Sequence, residues 1–178
     1  ADEAYYGELA EKIKTAFREK FFDKETYTVK GDCQTATAVM LYFGLCEEEE
    51  REPLLRRLIE QIEEKDWHLD FGVLGAKAVL NVLGTYGKTE LALRMITEPT
   101  YPSYAYWLSL GANTLWECWN GGGSHNHHLF FDLSSFDPTC FNFKDRKKIK
   151  QLLTDHSNLN MCRIIDMDLM SKCKHLCP

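Results

Sequence analysis

At 178 residues, 44% hydrophobic and 27% charged, the chain has the composition of a soluble domain with one sizeable core. Its formal net charge of -6, from 27 acidic against 21 basic residues with a short basic run only at 144–150, argues against a nucleic-acid partner. No apolar run approaches the roughly 20 residues of a membrane span, and the opening ADEAYYGELAEK lacks the basic, apolar and small-residue order of a signal peptide.

The first element in chain order is an amphipathic helix over 4–22, where Tyr5, Leu9, Ile13, Ala16, Phe17 and Phe21 recur at three- and four-residue steps and predict one buried stripe. After FFDKETY, Gly31 and Asp32 supply a turn and an N-cap for a more apolar helix over 33–43, closed by Gly44. The four acids at 47–50 suit the positive end of a helix dipole, so they are read as a helix start rather than a binding patch. Leu54, Leu55, Leu58, Ile59 and Ile62 give that third helix its inner face.

The segment DWHLDFGVLG breaks the period, and 74–86 resumes as an almost wholly apolar fourth helix. Gly87 and Lys88 turn the chain into a fifth helix, 89–96, capped by Thr89. Pro99 and Pro102 force extended backbone before a sixth helix over 103–110. No strand-like alternation interrupts this order. Beyond Phe136 the period weakens, so residues 136–178 are expected to form a divergent, weakly packed tail on a 1–135 domain.

Amphipathic helices alternating with mostly apolar ones must bury the apolar member inside a second helical layer. An αα-toroid and a helical solenoid both satisfy this. In a toroid, the irregular segments 66–72, 97–102 and 111–128 are expected to meet at one mouth.

The chemistry-bearing stretch is YPSYAYWLSLGANTLWECWNGGGSHNHH, residues 101–128. It surrounds a single carboxylate, Glu117, with Tyr101, Tyr104, Tyr106, Trp107, Trp116 and Trp119. Flat rings suit the apolar faces of a sugar, and an acid between indoles is expected to be partly desolvated. The same letters also describe packed core with a caught carboxylate. His125, His127 and His128 with Cys118 lack metal-ligand spacing, so no metal site is assigned. Seven cysteines without a CxxC pair are expected to be reduced thiols.

Four segments in register, GDCQTATAVMLYFGL, HLDFGVLGAKAVLNVLGTYGKTELALRMIT, YPSYAYWLSLGANTLWECW and SHNHHLFFDLSS, resemble the catalytic domain of bacterial α-L-rhamnosidases. These are inverting glycoside hydrolases on an (α/α)6 six-hairpin barrel. The resemblance implies an all-α fold of αα-hairpins forming part of that toroid, covering the chain from about residue 5 to 135. It implies Glu117 as general base, from the motif Thr-x-Trp-Glu-x-Trp at 114–119. It likewise implies His127 as a sugar contact, from the Asn-His pair matched by Asn126 and His127. Trp107, Trp116, Trp119 and Tyr101 are the aromatic candidates for sugar binding.

The implied partner is a rhamnose-containing glycan or glycoside, with no cofactor, nucleic acid or membrane. Family members carry the general acid in an upstream Asp-Cys-Pro-x-Arg-Asp-Glu segment, which has no match here. The chain is therefore expected to represent the C-terminal half of the catalytic domain and to be inactive alone. The alternatives are a non-catalytic carbohydrate-binding remnant and a structural helical-hairpin fragment. An incomplete barrel is also expected to leave its inner helices exposed for self-association.

Overall fold

The computed structural model describes residues 2–125, so the expected 136–178 tail and its boundary lie outside the described residues. The elements are α1 (Asp2–Phe21), β1 (Phe22–Asp23), β2 (Thr28–Val29), α2 (Gln34–Tyr42), α3 (Arg51–Glu63), α4 (Val73–Thr85), α5 (Thr89–Thr97) and α6 (Tyr104–Ser109). None of these helices is long and apolar enough to cross a membrane.

The alternation of apolar and amphipathic helices becomes two layers. α2 packs on both α3 and α4, and α4 passes its contacts on to α5, which meets α6. Ala38 and Met40 of α2, Leu54, Leu58 and Ile62 of α3, Val79, Leu80 and Leu83 of α4, and Ala92 and Met95 of α5 are all completely buried. Each fully buried leucine contributes roughly 1.5–3 kcal/mol, so this seam holds the layers together. Gly75 sets the approach of α4 to α2, because a Cβ there would run into Thr35 Oγ1 and the Phe71 side chain. The expected part of an (α/α)6 toroid is what these helices build.

Several local expectations change. The segment after α1 forms a short antiparallel hairpin, with Phe22 opposite Val29 and Asp23 opposite Thr28. Its turn is made by Asp23 Oδ1, which accepts from the N–H groups of Glu25 and Thr26 at 2.9 and 3.3 Å. A two-residue ladder shows no readable alternation. Asp32 is not the cap of α2; Cys33 holds that position without a side-chain bond. Its carboxylate is instead gripped by Arg57, at 3.1 and 2.6 Å, and by Gln61 at 2.8 Å, both on α3. Likewise Lys88, not Thr89, caps α5, and Thr89 is buried.

The acids at 47–50 do start a helix, as a 3-10 turn over Glu48–Glu50 leading into α3. Glu47 and Glu50 form a reciprocal capping box. Glu50 does more than cap. Its fully buried carboxylate receives both Arg18 guanidinium nitrogens, at 2.6 and 2.9 Å. That hydrogen-bonded cation holds the Glu50 carboxyl down to about 2.

α1 buries less than its pattern predicts. The helix is fastened through Arg18 and through Phe17 and Phe21 in its last turns. Tyr5, Leu9 and Ile13, from the expected buried stripe, are 63%, 39% and 56% exposed. The inner helices, expected to be uncovered, are mostly enclosed. Their exposed large apolar residues sit at the ends, Tyr42 and Phe43 at the close of α2 and Leu74 at the start of α4.

Candidate active site

Three irregular segments meet at one end of the helical layers, as expected for a mouth. His68 Nε2 lies 2.8 Å from Thr100 Oγ1, joining 66–72 to 97–102. Ser103, the N-cap of α6, donates its hydroxyl to the Glu98 carbonyl and accepts from Tyr106 N–H at 2.9 Å. Trp119 Nε1 donates to the Phe71 carbonyl at 2.6 Å, joining 111–125 to 66–72. Gln34 fixes the middle segment from below. Its buried amide donates to the His68 carbonyl and accepts from Asp70 N–H, each at 3.0 Å.

The three site tryptophans come together, but as packing partners. Trp107 is 2% exposed and stacks on Trp119, with centroids 4.3 Å apart and planes at 26°. Its Nε1 donates to the carbonyls of Cys118 and Trp119, at 3.1 and 3.0 Å, which pins the 116–119 segment against α6. That burial leaves Trp107 no ring face for a ligand. Trp116 is 8% exposed and carries His125 stacked at 4.2 Å and 13°. Tyr101 stands apart from this cluster, 53% exposed and edge-on to Tyr106 at 5.4 Å.

Glu117 is exposed, contrary to the expected desolvation by its neighbouring indoles. The reason is local backbone geometry: the 114–119 segment is irregular, so the indoles of Trp116 and Trp119 turn to the core while Glu117 faces outward. The carboxylate is nevertheless held. Ser124 N–H donates to Oε2 at 2.9 Å, and Glu117 N–H donates back to the Ser124 carbonyl at 2.8 Å. Gly123 makes this closure possible, since at its φ of +73° an added Cβ would sit 2.7 Å from Glu117 Oε2.

A second clasp ties down the same loop. His125 Nε2 lies 2.8 Å from the Gly121 carbonyl, and Thr114 Oγ1 donates to the His125 carbonyl. The sequence pattern gives Ser124 no role and His125 only a packing or surface one. The glycines at 121–123 were the available signal, because they mark a tight return of the chain. Asn126 and His127 lie outside the described residues, and the described residues contain no group of three His, Cys, Asp or Glu placed to hold a metal.

Paired helices in two layers, with irregular segments meeting at one end, are the arrangement of part of an αα-toroid. The comparisons agree with that class. Residues 1–136 match the model of the bacterial alpha-L-rhamnosidase 6 hairpin glycosidase domain, and the chain belongs to that family. Among curated relatives, an alpha-L-rhamnosidase of Streptomyces avermitilis is 37% identical over 140 residues, covering 72% of this chain and 14% of that protein. One from Alteromonas sp. (strain LOR) is 34% identical over 134 residues, covering 68% and 15%.

Solved structures give the same picture. The S. avermitilis alpha-L-rhamnosidase complexed with L-rhamnose aligns with a TM-score of 0.69 at 33% identity, over 76% of this chain and 14% of that one. The alpha-L-rhamnosidase from Dictyoglumus thermophilum aligns with a TM-score of 0.68 at 38% identity, over 76% and 16%. The chain thus spans 14–16% of the length of these relatives.

Proposed function

We propose that this chain supplies one side of an inverting glycosidase site that hydrolyses terminal α-L-rhamnosides, with Glu117 as the general base. The observation that carries this reading is the Glu117 carboxylate itself, exposed at the mouth yet fixed through Oε2 by Ser124 N–H. A base must point a lone pair at a water within hydrogen-bond reach of the reacting carbon. Here Oε2 is oriented by the backbone, and Oε1 has no protein partner among the described residues. The relative solved with L-rhamnose supports the choice of sugar.

In this reading Asn126 and His127 contact the sugar, and the partly buried Trp119 and the exposed Tyr101 border it. Trp116 and Trp107 act from beneath by holding the 111–125 loop. No cofactor or metal is needed, because inversion uses two carboxyl groups, roughly 6.5–9.5 Å apart, around a water. The general acid belongs to the segment without a match in this sequence, so the chain alone binds the sugar without efficient turnover.

Hydrolysis of an aryl α-L-rhamnoside and rhamnose titration by Trp fluorescence test this together. The expected result is saturable quenching with little or no turnover. Clear turnover abolished by Glu117→Gln would place an acid within this chain. Neither binding nor turnover would return the fold to a structural hairpin fragment.

A further inference from the structure

The 66–72 segment of the mouth contains backbone that its surroundings must hold. Asp66 and Trp67, neither of them glycine, follow one another at φ of +49° and +66°. Left-handed backbone at such residues costs energy and persists where neighbouring groups fix it. Three contacts from outside the segment do so. Arg94 of α5 lies over the Trp67 ring at 3.8 Å. Gln34 bridges the His68 carbonyl and Asp70 N–H, and the His68 ring reaches Thr100. The same segment presents the Phe71 carbonyl to Trp119 Nε1, so its position is passed on to the loop that carries Glu117.

The His68 contact differs from the other two because it depends on a proton. His68 Nδ1 lies 3.0 Å from the Lys65 carbonyl, which only accepts, so Nδ1 carries a hydrogen. Thr100 donates its hydroxyl to Glu98 Oε1 at 2.7 Å, so the 2.8 Å contact between Thr100 Oγ1 and His68 Nε2 takes its hydrogen from the ring. Three hydrogen bonds need three hydrogens, and a neutral imidazole with one hydroxyl supplies two. The third is an added proton. On the ring it makes an imidazolium 4.0 Å from Glu98 Oε1, the sole carboxylate at ion-pair distance from His68 among the described residues. Of the other charged groups on the adjoining segments, Lys65 pairs with Asp70 at 3.4 Å, Arg94 lies on Trp67, and Asp66 is exposed. From α2 the approaching group is the neutral amide of Gln34.

We propose that His68 is a positioning residue of the mouth, doubly protonated when the Lys65–His68–Thr100–Glu98 chain of hydrogen bonds is complete. Loss of the ring proton breaks that chain and loosens the 66–72 segment, and with it the loop that presents Glu117. The clasp is therefore whole at lower pH and opens as pH rises through the range, about 5 to 8, in which imidazoles lose their second proton. Its effect on sugar binding rests on the function proposed above; the protonation of the ring does not.

Histidine-selective nitrogen NMR of the full 178-residue chain tests the ring, with the His68 signals assigned by their loss in His68→Gln. Both ring nitrogens are expected to carry hydrogen at about pH 7 in the parent. In Glu98→Gln the side-chain amide can itself donate to Thr100, whose hydroxyl then donates to a neutral ring. That variant is expected to keep the clasp with a single ring hydrogen. Exchange of the Trp119 indole N–H reads whether loosening reaches the loop: towards pH 8.5 it should become about tenfold faster in the parent than in Glu98→Gln, the effect of roughly one lost hydrogen bond. Rhamnose affinity, followed by Trp fluorescence, should fall with rising pH about tenfold further in the parent than in the variant. The remaining histidines are common to both proteins, so the difference between them isolates His68. A singly protonated His68 ring in the parent, or Trp119 exchange that runs parallel in the two proteins, would overturn the proposal. These two readouts decide it even where rhamnose does not bind, so failure of the sugar reading is distinguishable from failure of this one.

Discussion

The helical layers and the 111–125 loop are both ordered, but by different forces. In the layers, completely buried residues such as Leu58, Leu80 and Leu83 exclude water over a continuous seam, and direction matters little. In the loop, order comes from directed contacts: an indole N–H shared between two carbonyls, a backbone pair around Glu117, and a histidine stacked on Trp116. The first arrangement tolerates sequence change that keeps volume. The second fixes a carboxylate without burying it, which a site open to a ligand requires.

The sharpest test of this contrast is at the ion pair whose carboxylate is fully buried. Glu50→Ala leaves Arg18 without its partner and is expected to cost about 3–5 kcal/mol in a urea titration, the usual effect of breaking a buried pair. The same pair carries a pH dependence. The Glu50 carboxyl is depressed from 4.5 to about 2, so its stabilisation is complete above pH 4.5 and is lost as pH falls through that range towards 2. Glu50→Gln should flatten that part of the stability profile.

Leu58→Ala, within the apolar seam, is expected to lose about 2–5 kcal/mol through transfer and cavity terms. It should leave any rhamnose-induced fluorescence change intact in the folded fraction. Gly123→Ala should do the reverse. Left-handed backbone strain of about 1–2 kcal/mol, together with the clash at Glu117, is expected to displace the loop and abolish sugar binding while the global melt shifts little.

Smaller still is Trp119→Phe, which removes the donor to the Phe71 carbonyl. A loss of about 1 kcal/mol is expected, with weaker sugar binding as the mouth segments separate. At the exposed Arg57 network, Arg57→Met should cost less than about 1 kcal/mol, because solvent screens its half-exposed partners. An effect as large as that of Glu50→Ala would erase the distinction between the two regions.

Much of the helical order was legible because it depends on periodicity. The apolar steps in α3 and the near-continuous apolar run of α4 leave few ways to bury their side chains, and Gly87 and the prolines mark the breaks. Asp32 and Thr89 were misread as caps because capping competes with tertiary partners. Arg57 and Gln61 lie 25 and 29 positions from Asp32, and no local pattern announces them. The hairpin after α1 was missed because two paired residues carry no period.

Around Glu117, the sequence located the carboxylate but not its surroundings. The letters Trp-Glu-Cys-Trp place indoles next to Glu117 along the chain, and an irregular backbone then turns them away from it. The support comes from Ser124, Gly123 and Phe71, whose contributing groups are backbone atoms or the lack of a side chain. Such groups have no sequence signature beyond a glycine-rich return.

By itself, the sequence determined the helix order, the two-layer alternation, the family and the identity of the candidate base. Those follow from local spacing and motif, which are properties of neighbours along the chain. Only the tertiary structure decided that α1 is fastened at one end by Arg18 on Glu50, that Trp107 is a strut, and that Glu117 is held open to solvent. Burial and hydrogen-bond partnership are set by groups distant in sequence, and they are fixed only when the layers close.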